Sequence, residues 1–70
     1  MGIEVKAKNG RASPLQIHNL KQIDEAGGFG ILLYPEYWDC FKDFINSMLN
    51  YDYEGMLGFY DVLKSRWENE

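Results

Sequence analysis

Within the first sixteen residues stand a carboxylate, an ammonium and a carboxamide whose spacing allows joint use: Glu4, Lys6 and Gln16. Ile3, Glu4, Val5, Lys6 and Ala7 alternate apolar and charged side chains with period two, the pattern of a half-buried strand. That period sends Glu4 and Lys6 to one face and Ile3, Val5 and Ala7 to the other. A carboxylate can hold Mg²⁺, a hard cation that takes oxygen ligands and keeps several waters, and a neighbouring lysine can position or help deprotonate one of those waters. Hydrolysis of a phosphodiester suits such a pair. A Glu and a Lys on one strand face also make an ordinary surface ion pair, so residue types alone leave both readings open.

The elements that must hold these groups can be read from the same stretch and from the chain beyond it. Lys8, Asn9, Gly10 and Arg11 are turn residues, so the first strand is expected to end near Lys8. Ser13 can then cap free amides, Pro14 suits the first helical position, and Gln16 completes a capping box. The helix should run to about Ala26 and stop at Gly27 and Gly28, whose backbone tolerates a left-handed turn. At roughly 100° per residue, Gln16, Leu20, Ile23 and Gly27 fall on one narrow inward stripe, with Gln16 its polar member. Residues 29–34 form a continuous apolar run, as expected of a parallel strand buried on both faces, which makes the unit βαβ with a right-handed crossover. After Pro35, the residues Tyr37, Phe41, Phe44, Ile45, Met48 and Leu49 recur at helical spacing. Residues 51–53 read as a connection, and Met56, Phe59, Tyr60, Leu63 and Trp67 continue a last helical stripe despite Gly55 and Gly58. The expected fold class is α/β in the order βαβαα. Two strands are a small base for that much helix, so further strands are expected from the N-terminal side or from another copy.

Composition bounds what the elements can build. Seventy residues leave room for one small domain, and 46% apolar with 16% aromatic residues is too rich for disorder. One cysteine, Cys40, forbids an intrachain disulfide and any multi-cysteine metal cage. One histidine, His18, leaves no HExxH or Cys2His2 pattern, and no GxSxG occurs. Residues 1–21 carry four bases against one acid, a net +3, whereas residues 22–70 carry three bases against ten acids, a net −7. One end could face phosphate while the other stays acidic and solvated. The longest apolar run falls far short of the ~20 residues of a membrane helix. A soluble, cytoplasmic protein is expected, without a membrane partner.

The continuation from Ile3 to Gln16, an apolar-flanked ExK, then a Gly10-Arg11 turn, then Ser13-Pro14-Leu15-Gln16 opening a helix, resembles the PD-(D/E)xK nucleases. More narrowly it is similar to their virus-type replication-repair branch (VRR-NUC), itself similar to Holliday junction resolvases. The likeness covers about residues 3–45, which would be the nuclease-like βαβα core of a single domain over 1–70, with 46–70 a helical extension. The fold it implies is the C-terminal part of a restriction-endonuclease-like core, a small sheet flanked by helices. The resemblance implies a metal-dependent, structure-selective DNA endonuclease of the DNA-repair or phage kind, working in a nucleoid or an infected cell. Glu4 would be the metal-binding acid, the Val5 backbone carbonyl a further ligand to Mg²⁺ or Mn²⁺, and Lys6 would serve the attacking water. Gln16 would bind metal-site water or DNA phosphate. Lys8, Arg11 and Ser13 would contact the backbone of a branched or flapped DNA.

Family members carry an acidic helix residue and the Asp of the PD motif ahead of the ExK strand, and only Met1, Gly2 and Ile3 precede Glu4 here. Three accounts are open: a piece of a longer nuclease, a partner chain that supplies the Asp, or a remnant without cleavage. The rival from another class is a non-catalytic α/β interaction or oligomerisation module whose aromatic helices form a partner surface, and a homodimer fits either. His18 is read as a surface or boundary residue and Cys40 as a buried, inert thiol. Trp38, Tyr51, Tyr53 and Trp67 are assigned to the core or a dimer surface, because no basic residues interleave them.

Overall fold

A computed structural model describes residues 1–69. Strand β1 (Gly2–Val5), helix α1 (Pro14–Glu25), strand β2 (Gly30–Leu33), a 3-10 turn at Pro35–Tyr37, helix α2 (Trp38–Leu49) and helix α3 (Tyr53–Glu68) succeed one another along the chain. The expected βαβαα order holds, with a two-stranded parallel sheet and three helices.

Each element starts and stops for a local reason. Ser13 caps α1 through its hydroxyl, Pro14 occupies the first turn, and the expected capping box is complete. At the other end Gly27 takes φ +86, and the Gly28 and Gly27 amides donate to the Ile23 and Asp24 carbonyls, a left-handed C-terminal turn. Helix α2 ends the same way without a glycine. Tyr51 stands at φ 57 while the amides of Asp52 and Tyr51 donate to Ser47 and Met48. Asp52 then caps α3 by accepting from the Gly55 amide.

β1 and β2 pair with Gly2 opposite Gly30 and Val5 opposite Leu33. One more bond runs from the Lys6 amide to the Leu33 carbonyl, so the strand stops short of Lys8 and gives way to the turn closed by the Gly10 amide on the Ala7 carbonyl. β2 is buried along its whole length, as its apolar run requires. Its Ile31 and Leu33 face α2 and α3, packing with Phe44, Met56, Tyr60 and Leu63, while Leu32 and Tyr34 face the other way onto Leu20 and Trp67. Burial of Phe44 alone contributes about 2–3 kcal/mol. Phe29 stacks edge-on against both Phe44 and Tyr60.

β1 is half-buried in the opposite sense from that suggested by its hydropathy. Register puts Ile3 and Val5 on the α2/α3 side of the sheet, yet those helices cover β2 and leave Ile3 42% and Val5 73% exposed. The Glu4 and Lys6 face is the partly covered one, beneath α1. The two sheet edges also differ. In β2, Gly30 turns its peptide groups away from β1, and α3 takes both: its amide donates to the Tyr60 hydroxyl at 3.1 Å and its carbonyl accepts from Trp67 Nε1 at 2.8 Å. In β1 the amides of Gly2 and Lys6 are spent on Phe29 and Leu33, so the alternation of a strand aims the Ile3 and Val5 peptides at the open edge.

No helix among the described residues is long and apolar enough to cross a membrane.

Candidate functional site

The start of α1 is the hub of the site. Because Pro14 and Ser13 fix the helix entry, Gln16 projects from the first turn over β1, and its carboxamide works in both directions. Gln16 Oε1 accepts from Lys6 Nζ at 2.9 Å and from the Ser13 amide at 2.9 Å, while Gln16 Nε2 points to Glu4 Oε2 at 3.5 Å, the outer limit of a hydrogen bond. The Gln16 amide in turn donates to Ser13 Oγ at 3.2 Å. The helix-capping and site roles of Gln16 are therefore compatible, since one carbonyl oxygen has lone pairs for both donors.

Glu4, Lys6 and Gln16 thus meet on one face, as the strand period and the helix stripe require. Among the described residues Glu4 and Lys6 form no ion pair with each other, the salt bridges being Lys42 with Asp39 and Lys64 with Asp24. The Gln16 carboxamide instead bridges the two charged groups. Ser13 is committed as the helix cap, with its hydroxyl accepting a main-chain bond. Lys8 and Arg11 sit together on the turn beyond β1, where with Asn9, Gly10, Ala12, Arg66 and Asn69 they line a cleft of about 620 Å³. Arg66 comes from α3, remote in sequence, and no motif announces it.

The donor set falls short of a metal cage. Among the described residues no group of three or more His, Cys, Asp or Glu side chains converges, so the expected ligands come down to the Glu4 carboxylate and the Val5 carbonyl. Mg²⁺ takes about six oxygen ligands and is held through accumulated carboxylate charge, so these two groups alone do not hold it.

The remaining candidates lie apart from this face. His18 is exposed. Cys40 is half-buried, its thiol donating to the Phe59 carbonyl at 3.7 Å, and burial together with Asp43 pushes its pKa upward, which keeps it an unreactive thiol. Trp67 belongs to the core, whereas Trp38, Tyr51 and Tyr53 are exposed. The strongest electrostatic cluster joins α1 to α3 on the far side of the sheet from the open edge. Tyr60 donates to Asp24 Oδ1 at 2.8 Å, and Lys64 pairs with Asp24 Oδ2 at 2.9 Å. The Lys64 and Tyr60 bonds hold the Asp24 carboxyl below the usual range, and Asp24 raises Lys64. Burial first, and the Asp24 carboxylate after it, push the Tyr60 phenol up to about 12. Its hydroxyl is fully used by Gly30 and Asp24, so the cluster is a structural clamp.

Comparison with protein-family models, with curated proteins and with solved structures gave no match.

Proposed function

We propose that the chain is a metal-dependent DNA nuclease-like domain of the PD-(D/E)xK type, the C-terminal part of a restriction-endonuclease-like core resembling VRR-NUC proteins. One observation carries the reading: Gln16, at the mouth of a capped helix, joins Lys6 and lies against Glu4 on a single strand face. In this reading Glu4 and the Val5 carbonyl would be one half of a Mg²⁺ or Mn²⁺ site, the Lys6 ammonium would position the attacking water, and Gln16 orients the lysine. Lys8 and Arg11 hold the DNA backbone beside it. The other half of the site is a carboxylate brought to the open edge of β1, the edge toward which the Val5 carbonyl turns. A homodimer, or a neighbouring strand, is the natural source.

A second reading has its own support. Ile3 and Val5 are exposed beside a strand edge that no other strand pairs among the described residues, the signature of a surface that takes up another strand, which favours a non-catalytic oligomerisation module. Two measurements separate them. The nuclease reading expects cleavage of labelled branched DNA with Mn²⁺ that disappears in Lys6→Ala while the fold persists, and Mn²⁺ binding that weakens markedly in Glu4→Gln. Cleavage that survives Lys6→Ala, or Mn²⁺ binding indifferent to Glu4→Gln, overturns it.

A further inference from the structure

The cleft at the Asn9–Gly10 turn is walled by two parts of the chain that the sequence keeps far apart. Lys8 and Arg11 come from the turn after β1, and Arg66 from the last turns of α3. Among the described residues the charged side chains lining it are all cationic, in a chain whose net charge is −4. Asn9 and Asn69 add neutral amides that can donate hydrogen bonds.

One residue organises both walls. Tyr34 is fully buried at the end of β2; its hydroxyl donates to the Gly10 carbonyl at 2.8 Å, and the Arg66 guanidinium lies 4.1 Å above its ring. The turn backbone is pinned by the phenol and Arg66 by the π face, so the anchoring cation and the turn that carries the other two are in place before any ligand arrives. Arg66 is half-buried and stacked on an aromatic ring, and among the described residues no carboxylate pairs with it, so its planar donors are kept for an anion. The cleft also adjoins the strand site, because a Cβ placed on Gly10 would stand 3.6 Å from Lys6 Cβ.

We infer that Arg66, Lys8 and Arg11 form a phosphate-binding cleft for the phosphodiester backbone of nucleic acid, in which the C-terminal helix supplies the anchoring cation. Its volume of about 620 Å³ lies within the range of sites that hold nucleotide-sized groups. Contacts of this kind fix the strand's position and carry no base sequence, so binding here is indifferent to sequence. The inference extends the backbone role proposed above for Lys8 and Arg11, and it stands or falls separately from the hydrolytic role of Glu4 and Lys6.

The test is fluorescence anisotropy of a labelled DNA duplex with the full chain in EDTA, from about 50 to 200 mM salt, for the parent, Arg66→Gln and Arg66→Lys. Removing one phosphate neutralisation makes the slope of log K against log salt shallower by about 0.9, which at 0.1 M amounts to about eightfold weaker binding. Arg66→Gln is expected to show both changes, and Arg66→Lys to keep the parent slope. Circular dichroism melts establish that both variants fold. An unchanged slope in Arg66→Gln overturns the inference, as does Arg66-dependent binding of inorganic phosphate without any of DNA. A shallower slope in a protein that never cleaves leaves the cleft standing as a backbone-binding site apart from hydrolysis; cleavage with an unchanged slope overturns the cleft and leaves the nuclease reading standing.

Discussion

Removing one oxygen from the clamp on β2 should be felt in two ways. In Tyr60→Phe the ring and its packing against Phe29 and Phe44 remain, but the buried Gly30 amide loses its acceptor and Asp24 loses one of two donors. A buried amide left without a partner costs about 1–3 kcal/mol. Asp24 keeps Lys64 and is partly exposed to water, so little is added on that side. A loss of about 2 kcal/mol is expected, out of the roughly 3.5–10 kcal/mol that a chain of this length commands. That corresponds to a fall in Tm of about 8–16 °C. The second effect is set by the phenol's own titration. Its pKa is near 10 in the unfolded chain and about 12 in the fold, so the folded state retains the proton over a window in which the unfolded state releases it. The stability tied to this group is complete below about pH 10 and is lost as pH climbs to about 12, by about 1.4 kcal/mol at pH 11. Tyr60→Phe has no such titration. Urea denaturation followed by Trp fluorescence at about pH 8 and pH 11 should therefore show the gap between parent and variant shrinking by about 1.4 kcal/mol at the higher pH. A gap below about 0.5 kcal/mol at the lower pH, or one that does not narrow at the higher, would refute the reasoning.

Two further changes probe the backbone. Gly30→Ala would put a Cβ 2.6 Å from the Leu20 carbonyl oxygen, main chain against main chain, so α1 must move off β2; a loss of about 3 kcal/mol is expected in a urea melt, and a loss under about 1 kcal/mol would show that the helix yields freely. Tyr51→Gly should do the opposite, because it relieves a left-handed residue that is 77% exposed, whose ring contact is with Tyr53 at 6.5 Å. After the greater entropy of glycine in the unfolded chain is subtracted, a gain of about 0.5–1 kcal/mol and a Tm higher by about 3–6 °C are expected, and a fall in Tm would count against that account.

What the sequence discloses here is what short-range chemistry decides. Ser13, Pro14 and Gln16 announce the start of α1 because capping is settled within a single turn, and Gly27 announces its end because glycine takes a positive φ at little cost. The run at 29–34 reads as a buried strand because no polar side chain interrupts it. The same rules mislead at β1. Alternation says which residues share a face but not which face is covered, and α2 and α3 reach only as far as β2. Tyr51 hides a left-handed turn because its residue type argues against one. Arg66 over Tyr34, and Tyr60 with Trp67 on Gly30, join residues far apart in the chain, and no local pattern encodes such meetings. In the candidate site, the joint placement of Glu4, Lys6 and Gln16 follows from period and capping, whereas the third cation of the neighbouring cleft emerges only from the tertiary fold.

The pairing of Gly2 with Gly30 also sets an order of events. Residues 6–29 must be closed into a loop before β1 gains its first bond to β2, whereas α2 and α3 are joined by residues 50–52 alone and share the core of Phe44, Met56 and Leu63. Chain closure over the longer span costs more entropy, so the helical hairpin assembles first and β1 docks last. By the same account β1 is the first element to leave, and its amide hydrogens exchange with solvent well before the Gly30 amide, which the Tyr60 hydroxyl holds independently of β1. Glu4 and Lys6 thus ride on the least protected strand of the molecule, and anything that binds beside them, metal, phosphate or a further strand, stabilises the fold at its weakest seam.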